Sequence, residues 1–195
     1  MEITTVLLDL DGVVRHYDPA HVIAVEQRHG LDQGTLIEAG FLPHVLEPVI
    51  TGKTTRAAWV AQICDLVGNP TAVQEWLSER GQIDWDLMEI VDELRRHGTT
   101  VAVLTNGTDT IPAEVRRFGV ADRFDAIFNS AEIGFAKPDR RAFLHVCERL
   151  DVSARQVFFT DDSPSKLAGA IEIGMTARLY EGIGRLRQHL NEFMQ

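Results

Sequence analysis

Apolar runs cut off by short acidic or glycine-containing turns set the rhythm of this chain. Val6-Leu7-Leu8 stops abruptly at Asp9-Leu10-Asp11-Gly12, the pattern of a buried strand followed by a turn. Four further runs predict strands. The run 99–104 stops at Thr105-Asn106-Gly107, and 125–128 is short and partly polar. Val157-Phe158-Phe159 stops at Asp161-Asp162, and 175–180 follows Gly174, a good helix-terminating residue. Between them, apolar positions recur at helical spacing. Leu87, Ile90, Val91 and Leu94 share one face before Gly98, and Phe143, Val146, Cys147 and Leu150 share another after Pro138-Asp139. Strands alternating with helices of this length predict parallel pairing through right-handed crossovers.

The stretch from about 16 to 86 breaks that rhythm. It shows no convincing strand, but helix-like segments around 21–29, 55–67 and 71–80. Gly30, Gly40, Pro43, Pro48, Gly68-Asn69-Pro70 and Gly81 punctuate them. The predicted fold class is therefore α/β, a Rossmann-like parallel sheet with an all-helical insertion between its first and second strands. Residues 1–15 and 88–195 form the predicted core, and 16–87 the predicted helical cap.

A chain of 195 residues with 45% hydrophobic and 25% charged residues can bury such a core without disulfides. Lys and Arg number 19 against 29 Asp and Glu, a formal net charge of −10. That balance repels polyanions and argues against nucleic acid and anionic membrane as partners. A small anionic substrate is compatible with it only if the site supplies local positive charge. Cys64 and Cys147 form no metal-ligand or redox motif, so neither a zinc site nor a disulfide framework is expected. The start Met1-Glu2-Ile3-Thr4 lacks the features of a signal peptide, and no apolar run approaches the roughly 18 residues of a membrane span. A cytoplasmic location is the expectation.

The candidate chemistry sits where predicted strands end. Asp9 and Asp11 follow the first strand, Asp161 and Asp162 the fourth. In open parallel sheets ligands bind beyond the carboxyl ends of the strands, where strand order reverses. If the first and fourth strands are neighbours, these carboxylates converge and repel one another. A hard divalent ion such as Mg²⁺ relieves that repulsion and can bridge to a phosphate. Thr105-Asn106-Gly107 offers a hydroxyl and backbone amides, and Lys137, before a helix, offers a fixed positive charge for phosphoryl oxygens.

Each piece also has a plainer reading. Asp9-Leu10-Asp11-Gly12 could be a polar turn, Lys137 a solvated lysine, and Asp161-Asp162 a helix-capping pair. A calcium loop fails because Val13 and Val14 occupy the next ligand and glycine positions, and a phosphate loop at Gly52-Lys53-Thr54 fails because Glu47 replaces its first glycine. Trp59, Trp76 and Trp85 read as packing within the insertion. Arg15, His16, Lys53 and Arg56 read as a solvated face, with substrate contact as the alternative.

Taken together, Asp9-x-Asp11-Gly12-Val13, Leu104-Thr105-Asn106, Lys137-Pro138-Asp139 and Asp161-Asp162 resemble the four ordered motifs of the haloacid dehalogenase superfamily. The likeness is to members with a small helical cap after the first motif. The resemblance implies an enzyme, a phosphoric monoester hydrolase acting on a small phosphorylated metabolite such as a sugar phosphate. It implies Asp9 as nucleophile, Asp11 as acid and then base, and Thr105 with the amide of Asn106 as phosphoryl-binding groups. Lys137 would neutralise the phosphoryl charge. Mg²⁺ would be held by Asp9, the Asp11 backbone carbonyl and Asp162, with Asp161 supporting Lys137 or a metal-bound water.

The chain departs from the family pattern at Arg140, where a proline is common, and at Lys166, where Asn or Asp is common. A lysine near Asp162 is expected to weaken Mg²⁺ binding. Three rivals stay open: a dehalogenase attacking carbon, a phosphomutase, and a weakly catalytic phosphate sensor. Asp11 favours phosphoryl transfer over dehalogenation, which needs no leaving-group acid.

Overall fold

The computed structural model describes residues 2–193. The chain opens with β1 (Thr5–Leu8) and a two-residue strand β2 (Arg15–His16), then five helices. These are α1 (Pro19–Arg28), α2 (Thr35–Phe41), α3 (Pro43–Ile50), α4 (Arg56–Val67) and α5 (Pro70–Trp76). The short β3 (Gln82–Ile83) leads into α6 (Trp85–Arg96), β4 (Thr100–Thr105), α7 (Ile111–Arg117), β5 (Ala126–Asn129), α8 (Ser130–Ile133) and α9 (Arg140–Leu150). The chain continues through β6 (Val157–Asp161), α10 (Ala168–Glu172), β7 (Thr176–Leu179) and α11 (Ile183–Phe193). No helix among the described residues is long and apolar enough to cross a membrane.

Five strands form one parallel sheet in the order β5-β4-β1-β6-β7. Its strands read as continuous apolar runs because both faces are covered. Val6 and Leu8 point into one cluster with Leu87, Val91, Val115 and Leu190, while Leu7 points into the other with Phe143, Val146 and Ala170. The same alternation sends Val103 and Phe158 to the first face, and Leu104 and Phe159 to the second. After β1 the chain builds outward through β4 and β5, then returns to the other side of β1 with β6. Strand order therefore reverses around β1, and its carboxyl end opens into the crevice.

The five predicted strands are all present, shifted by a residue or two at their ends. The region 16–86 departs further from its expectation. It holds α2 and α3, which the glycine and proline punctuation hid, and α5 ends at Trp76 rather than near 80. Gly40 sits inside α2, and Pro48 inside α3. The strands β2 and β3 form a two-residue antiparallel ribbon, Arg15 opposite Ile83, where no strand was expected. Such a short pairing leaves no hydrophobic pattern to read.

Helices α1–α5 enclose a cluster of their own around Val25, Leu36, Val49, Trp59, Ile63 and Val73. On that packing we propose the division already read from the sequence, core 1–15 and 88–195 against cap 16–87, with the ribbon as its joint. Leu87, the last residue of that cap span, packs in the core cluster. Trp59 and Trp76 lie with ring centroids 6.5 Å apart, and the Trp59 indole N–H donates to the Gly40 carbonyl at 3.1 Å. Trp85 was expected to pack here too, but it is 56% exposed at the start of α6.

Gly40 explains why a poor helix former is used. A Cβ there would lie 2.6 Å from the Trp76 ring. Gly40→Ala would gain at most about 1 kcal/mol of helix propensity. Overpacking costs about 1–3 kcal/mol, so net destabilisation is the expected outcome. A lower urea midpoint at unchanged slope checks it; an unchanged or higher midpoint would show that the Trp76 ring moves without cost.

Candidate active site

β1, β4 and β6 deliver their following residues to one edge. Asp9 leaves β1 with its backbone N–H still bonded to the Thr160 carbonyl at 3.0 Å, so it lies directly beside the end of β6. Asp161 closes β6 and Thr105 closes β4, both buried. After Asp9 the chain folds tightly back, because the Leu10 carbonyl accepts from both Val14 and Arg15, at 2.8 and 2.7 Å. Gly12 makes this possible with φ +89°, and a Cβ on it would fall 2.0 Å from the Asp162 carboxylate.

Lys137, a candidate for a solvated lysine by sequence, is 3% exposed. Its ammonium lies 2.6 Å from Asp9 Oδ1 and 2.7 Å from Asp161 Oδ2. A buried ammonium survives only with such partners. Its backbone is pinned as firmly. The Asn106 side chain accepts from the Lys137 N–H at 2.7 Å and donates to its carbonyl at 2.8 Å. Gly169 lets α10 lie against the next residue, since a Cβ there would reach 2.0 Å from the Pro138 carbonyl. Lys166 donates to the Lys137 carbonyl at 3.4 Å, so its ammonium is engaged with this loop. The Arg140 side chain is exposed and pairs with Glu172 at 3.2 Å.

Carboxylate oxygens of Asp9, Asp161 and Asp162 all lie within 4.8 Å of one another. Burial, above all, pushes the Asp9 pKa up from 3.8 to about 7; the Lys137 charge opposes this and the Asp161 charge adds to it. Asp162 is raised as well, by burial first and then by Asp161, with Lys137 opposing and Asp11 adding. Asp161 is fully buried, with one oxygen on Lys137 and the other accepting from the Ser163 N–H at 2.9 Å. The pair Asp161-Asp162 is therefore no helix cap. Three carboxylates against one ammonium leave a negative surplus, and hard oxygen donors of this kind fit a divalent ion such as Mg²⁺.

The remaining sequence candidates divide. Thr105 reaches the same edge, 1% exposed. The Asn106 side chain is spent on Lys137, so only its backbone remains to meet a substrate. Asp11 does not join the acidic cluster with its carboxylate, which turns to Arg15: Arg15 Nε donates at 2.5 Å to Oδ1 and Nη2 at 3.0 Å to Oδ2. Arg15, read from sequence as solvated, is 3% exposed and also bonds Glu114 at 2.7 Å. Glu114, on α7, gave no sequence signal because it lies 99 residues from Arg15. Arg56 and Gly52 touch the core from the insertion: the Arg56 backbone N–H donates to Asp109 at 2.8 Å, and a Cβ on Gly52 would strike the Ala131 carbonyl. A cleft of about 650 Å³ runs between Glu47, Thr51 and Lys53 of the insertion and Phe135, Lys137 and Arg141 of the core.

Fold and site together define a class: a doubly covered parallel sheet that gathers carboxylates and one buried lysine where its strand order reverses. A family model of haloacid dehalogenase-like hydrolases matches residues 3–174, and the chain belongs to that family. Among curated relatives, a phosphatase of Mycobacterium tuberculosis is 36% identical over 104 residues, covering 52% of this chain and 48% of the relative. A (S)-2-haloacid dehalogenase of Burkholderia cepacia is 30% identical over 90 residues, 46% of this chain and 39% of the relative. The matched stretch thus spans less than half the length of these relatives. A haloacid dehalogenase family enzyme of Bacteroides thetaiotaomicron, solved with magnesium and inorganic phosphate, shares the fold with TM-score 0.77 at 24% identity, covering 94% of this chain and 98% of that one.

Asp9 carries a stability consequence that needs no substrate. It holds its proton up to about pH 7 folded, against an ordinary 3.8, so the metal-free fold loses stability as pH rises through that window. Asp9→Asn removes the loss and leaves Lys137 paired with Asp161. In excess chelator the variant should gain on the parent between pH 5 and pH 8, by on the order of 1–4 kcal/mol at the upper end. Thermal unfolding across that range checks it. A shift of equal size at both ends, or a loss at pH 8, would contradict the assignment of the strain to the Asp9 charge.

Proposed function

We propose that this protein is a Mg²⁺-dependent phosphatase that hydrolyses small organic phosphate monoesters, sugar phosphates among them, through an aspartyl-phosphate on Asp9. The observation that carries the reading is the gathering of carboxylates: oxygens of Asp9, Asp161 and Asp162 lie within 4.8 Å of one another, with the Lys137 ammonium on the first two. Attack of a carboxylate on carbon, as in the dehalogenases, needs no such cation site. Asp11, two residues after the nucleophile, supplies the proton donor that phosphate esters need and haloacids do not.

In this reading Asp9 Oδ1 is tied by the Leu10 N–H at 2.7 Å and by Lys137 at 2.6 Å, which leaves Oδ2 to attack phosphorus. The bond from phosphorus to the ester oxygen breaks, and Asp11 gives that oxygen a proton. Water then bonds phosphorus, its proton passes to Asp11, and the bond to Asp9 breaks to release phosphate. Thr105 and the Asn106 backbone amide hold the phosphoryl oxygens, and Lys137 holds their charge. Asp9, the Asp11 carbonyl and Asp162 would hold Mg²⁺, while Asp161, with both oxygens already engaged, supports Lys137. The bound ion supplies charge neutralisation for the transferring group.

The deciding measurement is phosphate release from an aryl phosphate, with and without chelator. Activity should vanish in excess chelator and return with Mg²⁺. Undiminished phosphate release in excess chelator would overturn the Mg²⁺ dependence, and no phosphate release under either condition, with halide released from a 2-haloacid, would overturn the phosphatase reading in favour of dehalogenation. Asp9→Asn should abolish turnover and phosphoenzyme alike. Asp11→Asn should instead give a burst of phenol, a slow steady state and a trapped phosphoenzyme, because an aryl leaving group needs no acid while hydrolysis still needs the base.

A further inference from the structure

Arg15 is not among the residues that make the nucleophile, the metal site or the phosphoryl cradle, yet it is among the most deliberately placed side chains near them. Its guanidinium is buried and uses all three nitrogens. Nε and Nη2 grip the two oxygens of Asp11, and Nη1 reaches Glu114 Oε2 at 2.7 Å. The other oxygen of Glu114 accepts from Thr110 at 2.6 Å, and the Thr110 hydroxyl meets that of Thr108 at 2.9 Å. Tyr17 and Phe118 stack against the guanidinium at 5.2 and 6.0 Å. Gly81 opens room for the arginine stem, since a Cβ there would lie 2.9 Å from Arg15 Cγ.

The backbone is fixed with equal care. The Arg15 N–H donates to the Leu10 carbonyl at 2.7 Å, and its carbonyl accepts from Gly12 at 2.7 Å. Arg15 also forms half of the β2–β3 ribbon on which the insertion is mounted. One side chain thus joins the mounting of the cap, the carboxylate of Asp11, and the loop that follows β4 through Glu114 and Thr110. A planar fork that holds both oxygens fixes the direction of a carboxylate in a way that one ammonium cannot.

We propose that Arg15 is a positioning residue for Asp11: braced by Glu114, its guanidinium fixes the direction of the Asp11 carboxylate beside the acidic cluster, from where Asp11 takes its part in hydrolysing the aspartyl-phosphate. The inference rests on the acid–base role proposed above for Asp11. It assigns to Arg15 no contact with substrate, and with an aryl phosphate, whose leaving group needs no acid, it predicts a defect confined to the second half of the reaction. A misplaced catalytic group costs about 10²-fold in rate.

The test uses the full chain, saturating Mg²⁺ and an aryl phosphate, with the phenol burst, the steady-state rate and the trapped phosphoenzyme measured on the same samples. Arg15→Ala should keep the burst and kcat/KM while kcat and KM fall together by up to about 10²-fold, with phosphoenzyme accumulating. Added guanidinium, at concentrations too low to unfold the protein, should restore part of kcat in Arg15→Ala and none in Asp11→Asn. Arg15→Lys should fall between parent and alanine variant, and it decides the question by the same ratio of burst to steady state if Arg15→Ala does not fold. Unchanged turnover in a folded Arg15 variant would overturn the proposal. So would parallel loss of burst and turnover without guanidinium recovery, the signature of a merely structural role. If Asp11→Asn hydrolyses its phosphoenzyme at the parent rate, the acid–base assignment itself fails, and the Arg15 proposal with it, whatever the Arg15 variants do.

Discussion

Burying an ammonium ion costs several kcal/mol unless its partners are placed to meet it, and the active edge of this protein is organised around that requirement. Lys137 has no water to fall back on, so Asp9 and Asp161 must both stand within hydrogen-bonding distance of it. They can do so only because β1 and β6 are neighbours and end at the same height, with Leu8 in register with Thr160. The backbone of Lys137 is in turn clasped by Asn106 at the end of β4 and backed by Gly169 of α10. Three strand ends and one helix thus converge on a single amine. Two carboxylates beside one ammonium, with Asp162 adjacent, leave the centre short of positive charge, and that shortage gives it an appetite for a cation.

The insertion meets this rigid edge through few, close contacts. Its helices have a core of their own, and it is joined to the sheet by a ribbon only two residues long. Elsewhere Gly52 lies against the Ala131 carbonyl and the Arg56 backbone N–H caps Asp109. Arg15 is the exception in kind, because it belongs to the ribbon and yet binds Asp11 and α7. The Asp11 carboxylate and the mounting ribbon are therefore linked at one residue, whereas the cleft beside Lys137 is lined from both the insertion and the core.

Relatives of this chain include proteins named as phosphatases and others named as haloacid dehalogenases. One fold carries both because an aspartate at the end of the central strand can attack either phosphorus or carbon. What separates the two is the surroundings of that aspartate, not the sheet. In this chain the surroundings of Asp9 are acidic, with Asp11 two residues on and Asp161-Asp162 at the end of β6. That weighs for phosphoryl transfer.

The strands and their order of appearance were legible because strand side chains alternate between two covered faces, which leaves short, continuous apolar runs such as Val6-Leu7-Leu8. The acidic and lysine motifs were legible because each follows such a run or precedes a helix. By itself the sequence determined the α/β class, the position of the helical insertion and the identity of the residues at the strand ends. Only the tertiary structure decided what those residues touch. Gly40 and Pro48 looked like breaks but lie within helices, since packing against Trp76 outweighs local propensity at the first of them. Arg15 looked solvated and is buried, while the Lys137 ammonium is held by Asp161 and the Asn106 side chain is taken up by the Lys137 backbone; none of this was legible, because the partners Glu114, Asp161 and Lys137 lie 99, 24 and 31 residues away. Local pattern records which face of an element is apolar; it holds no record of which distant polar group arrives to neutralise a charge there.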